Sequence, residues 1–338
     1  MATKQQFVGL LEEIEPSSST KEACAAAHAR VRSALQNDAD FKKVHINTFL
    51  TGSYKRDTAI RPRRIDGVLK RPDVDIIVIT NHTVKDAPAD VIAALHKALK
   101  NAGYTNLTVN RRSISIFMTT VEMDVVPIID TGDGMYKIPD KDAGEWLITN
   151  PPGHTTWCTE VNKKADGRFK PLVKLFKWWR RENLPELRRP KGFILEALVA
   201  EHMSYTETSN EELFLKLLKA VKSAYMWDAT PMWASVPKLA DPAVPGGNVF
   251  SHVTAEEFKI FYDMVSKHIE LIEKAQDETD DTEALRKWRA VFGSCFPASG
   301  GSRSTSSGLL REAASATPVA LTFPPQGIVI PNKPKGFA

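Results

Sequence analysis

The chain is poor in cysteine: Cys24, Cys158 and Cys295 are the only three in 338 residues. Odd in number, far apart and without a C-x-x-C pair, they exclude a disulfide framework and a zinc site, and read as reduced thiols. Long apolar runs are missing as well, which excludes a membrane-spanning helix. The N-terminus, Met1-Ala2-Thr3-Lys4-Gln5-Gln6, lacks the apolar core of a signal peptide. These absences together predict a cytoplasmic protein with no membrane partner. The eight histidines show no H-x-x-x-H spacing and receive no metal role.

What is present is ordinary in bulk and unusual in detail. Hydrophobic content of 42% and charge of 25% suit a globular protein, and the length provides for one large domain or two lobes sharing a cleft. The net charge of +4 is unevenly spread. Between Lys163 and Lys191 eleven Lys or Arg stand against Asp166, Glu182 and Glu186, a local balance of +8, which leaves about −4 for the rest.

The most informative pattern is acidic. Asp73 and Asp75 lie in the apolar run Val74-Asp75-Ile76-Ile77-Val78-Ile79, and Asp124 lies in a second run, Val121 to Ile129. On a strand successive side chains alternate faces, so Asp73 and Asp75 share one face and Val74 and Ile76 the other. Glu122 and Asp124 repeat the logic. Close carboxylates at a core edge want a cation, and hard oxygen ligands choose magnesium or manganese over zinc. The bland alternative makes Asp73 and Asp75 turn residues that open a strand after Pro72. Upstream, Thr51-Gly52-Ser53-Tyr54 follows the partly apolar run Val44 to Leu50 and reads as a tight turn entering a helix. There Gly52 lets a phosphate approach the backbone, and Ser53 with the free amides of the next turn donates hydrogen bonds to it.

Thr51 to Ile60, Asp73-Val74-Asp75-Ile76 and Glu122-Met123-Asp124-Val125-Val126-Pro127 together resemble the polymerase-beta-like nucleotidyltransferases. Within these the chain is most similar to the bacterial cGAS/DncV-like enzymes, the CD-NTases of anti-phage (CBASS) signalling. The resemblance spans roughly residues 5 to 295. It implies an α+β fold: a catalytic lobe with a mixed sheet flanked by helices, and a mostly helical second lobe around one active-site cleft. The expected divisions are 1–148, 149–296 and a flexible linker with C-terminal tail at 297–338.

The same resemblance implies an enzyme that makes a cyclic di- or trinucleotide from ATP and other NTPs, releasing pyrophosphate, with a downstream effector reading the product. Asp73, Asp75 and Asp124 would hold two Mg²⁺ or Mn²⁺ ions, and Asp124 would accept the proton of the attacking hydroxyl. Lys174 matches the lysine that contacts donor phosphates, with Lys170 and Lys177 next in line. The helix carrying these lysines, 168–183, has Leu172, Val173, Phe176 and Trp179 on its apolar side, and a lysine stripe there is either a solvated face or a phosphate contact. Phe193 stands where relatives carry a base-stacking ring, or is a core aromatic at a helix start. Gly192 replaces the hydroxyl that usually precedes that ring.

Elsewhere, periodicity predicts helices over Lys4 to Glu15, Thr20 to Gln36 and Ala87 to Asn101, and a strand at Ser113 to Phe117. Ser113 and Ser115 share a face and meet either substrate or solvent. Thr149 to His154 reads as a Pro/Gly connection, and Asp241 to Val249 as turns. Pro297 to Ser307 is rich in Ser and Gly and poor in apolar residues, the composition of a linker. For the terminus, Val329 to Ala338, the resemblance implies that an E1/E2-like partner joins it to a target, as ubiquitin is joined. Two other readings stay open: an enzyme of the same fold that adds nucleotides to RNA ends or to a protein, and an inactive polyanion-binding module. Nucleic acid is not required on these grounds.

Overall fold

The computed structural model describes residues 4–65, 68–226 and 236–298. The tail from Val329 to Ala338 and nearly all of the linker before it lie outside them.

Nine strands are described: β1 His45–Leu50, β2 Arg64–Ile65, β3 Val68–Leu69, β4 Asp73–Thr80, β5 Leu107–Val109, β6 Ile114–Phe117, β7 Glu122–Asp130, β8 Tyr136–Asp140 and β9 Glu145–Thr149. The main sheet runs β1-β4-β7-β6-β5, with β8 on β7 and β9 on β8, while β2 and β3 form a hairpin of their own. All pairings are antiparallel except β4 with β7. A parallel pair needs a crossover; here it consists of helix α4 (Pro88–Asn101) with β5 and β6.

Alternation along β4 and β7 does what the apolar runs predict. Val74, Ile76, Val78, Met123 and Val125 are fully buried and form one core with α2 (Ser18–Asn37) and α4. The opposite face is left to the aspartates. A second core gathers α5 (Pro151–Lys164), α6 (Phe169–Asn183), α7 (Phe193–His202), α8 (Asn210–Ala224), α9 (Ala255–Gln276) and α10 (Asp281–Phe292). The first helix, α1 (Lys4–Ile14), precedes the sheet in sequence yet buries Phe7, Leu10 and Ile14 in this second core. Phe7 meets the rings of Trp288, Phe292 and Phe296 edge-on at 5.1, 5.8 and 5.4 Å.

One local expectation is corrected, and one of two open alternatives falls. Thr149 to His154 is no loop: Asn150 caps α5 by accepting from the Gly153 amide, and the prolines occupy the first helical positions, where a missing N–H costs nothing. Nor is the lysine stripe of α6 solvated. That helix is buried on nearly every side, so Lys174 and Lys177, which look like a solvent face in a helical projection, are buried, while Lys170 is partly exposed.

Candidate active site

The register of the sheet builds the acid row. Asp73 pairs with Glu122 and Asp75 with Asp124 across the parallel ladder, and Ser115 of β6 lies opposite Asp124 on its other side. Beyond the end of β1 the Thr51 amide donates to the Asp75 carbonyl at 2.9 Å, which sets the turn into α3 (Gly52–Arg56) against the acids. Gly52 has φ of +69°, and a Cβ there would stand 1.8 Å from Asp75 Oδ2. Only glycine meets both conditions.

Like charges crowd this row. Asp75 is pushed up to about 6, by burial and then by Asp124, against the pull of Arg56 and Lys177. Asp73 is raised to about 7 by desolvation and then by Asp75, Asp124 and Glu122. Its side chain meets solvent at the rim, so for Asp73 the neighbouring carboxylates are the stronger cause. Among the described residues no three Asp, Glu, His or Cys side chains already close around one point. The donor set nonetheless fits a hard divalent cation: carboxylate oxygens on adjacent strands whose mutual repulsion a bound cation would relieve.

Asp124 is oriented from behind. Ser115 Oγ donates to Asp124 Oδ1, and Asn110 Nδ2 donates to Ser115 Oγ at 2.7 Å and to Ser113 Oγ at 3.2 Å. Both serines are buried, which removes the solvent-facing reading.

Beneath the turn lies a buried charge network. Glu196, fully buried, accepts from Arg56 Nε at 2.7 Å, Arg56 Nη2 at 3.1 Å, Thr58 Oγ1 at 2.9 Å and Lys177 Nζ at 2.7 Å. Burial alone would raise its carboxyl, but Lys177 and Arg56 overcome that and hold it at about 2. Lys177 is thus committed to Glu196 and to the Thr58 carbonyl rather than facing the cleft.

The other two lysines converge on one acid. Lys174 Nζ donates to Glu15 and, at 3.3 Å, to Asp57 Oδ1, and Lys170 Nζ stands 3.8 Å from Asp57 Oδ2. Asp57 caps α3 in the left-handed conformation, four residues after Ser53, so Lys174 and Lys170 reach the end of the same short helix that Gly52 and Ser53 begin. Phe193 is half-buried among Arg56, whose guanidinium lies 5.3 Å from its ring centre, Trp157 at 5.5 Å and His154 at 4.5 Å. His154 is in turn fixed by Asp241 at 2.8 Å, which gives the 241–249 turn a contact beyond its own backbone. Gly192 has φ of +56°, a conformation that disfavours any residue with a side chain there.

Sequence reasoning missed Arg56, Glu196, Asn110, Glu15 and Lys191, the last close enough to pull the Asp73 carboxyl down. Glu196 had a signal: a lone charge inside Ile194-Leu195-Glu196-Ala197-Leu198 on a buried helix. The others had none.

Comparison with known proteins converges on the same point. The profile of the Second Messenger Oligonucleotide or Dinucleotide Synthetase (SMODS) domain matches residues 1–162. A cyclic AMP-AMP-AMP synthase of Acinetobacter sp. is 54% identical, covering 100% of this chain and 98% of its own. A cyclic AMP-AMP-GMP synthase of Enterobacter hormaechei is 28% identical over 89% of this chain and 93% of its own. Among solved structures, the Bradyrhizobium diazoefficiens CD-NTase CdnG in complex with GTP superposes with a TM-score of 0.70 at 13% identity, covering 85% of this chain and 94% of that one. Escherichia coli CdnC with ATP gives 0.66 at 17%, covering 87% and 98%. With the acid row, the glycine turn and a relative 54% identical along its whole length, this chain belongs to the CD-NTases, the nucleotidyltransferases that synthesise cyclic oligonucleotides.

Proposed function

We propose that this enzyme is metal-dependent, takes ATP as a substrate and builds a cyclic trinucleotide in anti-phage signalling. The observation that carries the metal dependence is the row Asp73, Asp75 and Asp124 on paired strands, facing a turn that only Gly52 can make. The product class rests on the 54% identical cyclic AMP-AMP-AMP synthase.

Asp73 and Asp75 would hold both ions, and Asp124 one of them. Bound there, a divalent cation supplies Lewis-acid stabilisation of the triphosphate and lowers the pKa of the acceptor ribose hydroxyl. The residues of the chain do the rest. Ser53 and Lys174 steady the departing pyrophosphate, with Lys170 behind them, and Lys174 exchanges its contact with Asp57 for the phosphates as the nucleotide enters. Asp124, with one oxygen held by Ser115, presents the other to the hydroxyl as proton acceptor. Phe193, held beside Arg56, His154 and Trp157, offers its ring for a base to stack on.

Incubating the full chain with four labelled NTPs and Mg²⁺ or Mn²⁺, then with phosphatase, tests the proposal. Phosphatase-resistant adenylate products support it; linear products only, or none with either metal, contradict it. We further propose that an E1/E2-like enzyme joins the C-terminus to a target, which the resemblance supports. Deleting the last three residues then spares synthesis in vitro and abolishes the covalent adduct in cells, and an adduct that survives the deletion overturns it.

A further inference from the structure

A separate cavity of about 670 Å³ contains none of the acids of the row. Its walls come from four places in the chain: Ser17 and Thr20 at the start of α2, Arg61 and Arg63 beyond α3, Trp178 and Arg181 on α6, and the Ser294 and Cys295 turn. Three guanidinium groups therefore share one hollow with a single carboxylate of the lining, Glu182.

This concentration of like charge is held in place by structure. Arg181 lies over the Trp178 ring at 4.0 Å and donates through Nη1 to the Arg61 carbonyl at 2.6 Å. Its Nε is buried and finds no acceptor among the described residues. Burial holds the Arg181 guanidinium down at about 10, and Arg63 and Arg61 add to that against Glu182. Arg63 is exposed, and its charge draws on the Glu182 carboxyl without an ion pair among the described residues. Arg61 pairs with Glu13, a half-exposed partner that a stronger anion can displace.

A buried donor without an acceptor, beside two more guanidinium groups in an open hollow, is the complement of an anion with several oxygens. The hydroxyls of Ser17 and Thr20, at the positive end of a 20-residue helix, lie 2.8 Å apart and share a hydrogen bond, which leaves one of the two protons for a ligand. We propose that this cavity is a second anion site, distinct from the catalytic cleft, which takes a small polyphosphate in competition with Glu13 for Arg61.

Calorimetric titration of the full chain with inorganic tripolyphosphate in EDTA tests it, using wild type, Arg63→Ser, Glu13→Gln and Lys174→Ala. Arg63 and Glu13 are solvent-facing enough for both variants to fold, which melting curves verify. The expected result is binding that weakens about tenfold or more in Arg63→Ser, tightens severalfold in Glu13→Gln and survives in Lys174→Ala. Binding that ignores Arg63 and Glu13, binding lost wholly with Lys174, or no binding to wild type overturns the proposal.

Discussion

At the scale of single residues, Gly52 is the most constrained position in the site. A side chain there meets the Asp75 carboxylate at 1.8 Å and must also adopt a positive φ, so Gly52→Ala moves either the turn or the acid. Displacements of about 1 Å cost on the order of 100-fold in rate. Gly52→Ala is therefore expected to lose about that much turnover while the protein still unfolds cooperatively; near-wild-type turnover would mean that the turn does not seat the substrate. Gly52, Asp73, Asp75 and Asp124 were legible in the sequence because strand alternation and backbone freedom are local properties. Lys174 and Lys177 look alike in the sequence, three positions apart on one helix. Their partners, Glu15 with Asp57 for one and Glu196 for the other, come from distant segments and set the two apart.

At the scale of elements, the short α3 is fixed to the helical lobe through Glu196. The carboxylate satisfies Arg56 of α3 and Lys177 of α6, and its removal leaves two buried cations unpaired. Losing one partner of such a cluster costs about 3–5 kcal/mol. Glu196→Ala should lower stability by that amount in urea unfolding, with Glu196→Gln milder because it keeps the shape and one acceptor. A loss below about 1 kcal/mol would show that the network is not what ties α3 to α6 and α7. Helices α1, α2, α4 and α6 fall within a few residues of their expected bounds because their apolar spacing is regular. The β8–β9 hairpin was missed: its strands are only half-buried and carry a weak alternation. Prolines 151 and 152 misled by composition, since the Asn150 cap that makes them helical is a matter of geometry.

At the scale of the whole molecule, the fold accepts repulsion in the acid row. Asp73 at about 7 and Asp75 at about 6 hold protons more tightly folded than at their ordinary value of 3.8. The folded state therefore binds more protons than the unfolded one across that window. The contribution of these two groups is favourable at its acidic end and is lost as pH rises through 6 and 7. Without divalent metal at pH 8, the Asp73→Asn/Asp75→Asn variant should melt above wild type by a few degrees, on the order of 2–6 °C. Mg²⁺ should raise the melting temperature of wild type and leave the variant unmoved; a wild type indifferent to Mg²⁺ would remove the cation from the account. The pairing of Asp75 with Asp124 could not be read from the sequence alone, because it depends on a crossover of more than forty residues that brings two separate runs into parallel register.

Turnover of ATP measured against Mg²⁺ concentration decides whether this row performs nucleotidyl transfer with a divalent cation. Wild type should release pyrophosphate with a saturable dependence on Mg²⁺. Folded Asp73→Ala and Asp75→Ala proteins should lose at least about 1,000-fold in rate, as expected when groups that act only in the transition state are removed. Pyrophosphate release that persists in EDTA, or substantial turnover in either variant, would deny the acid row and its cation that role.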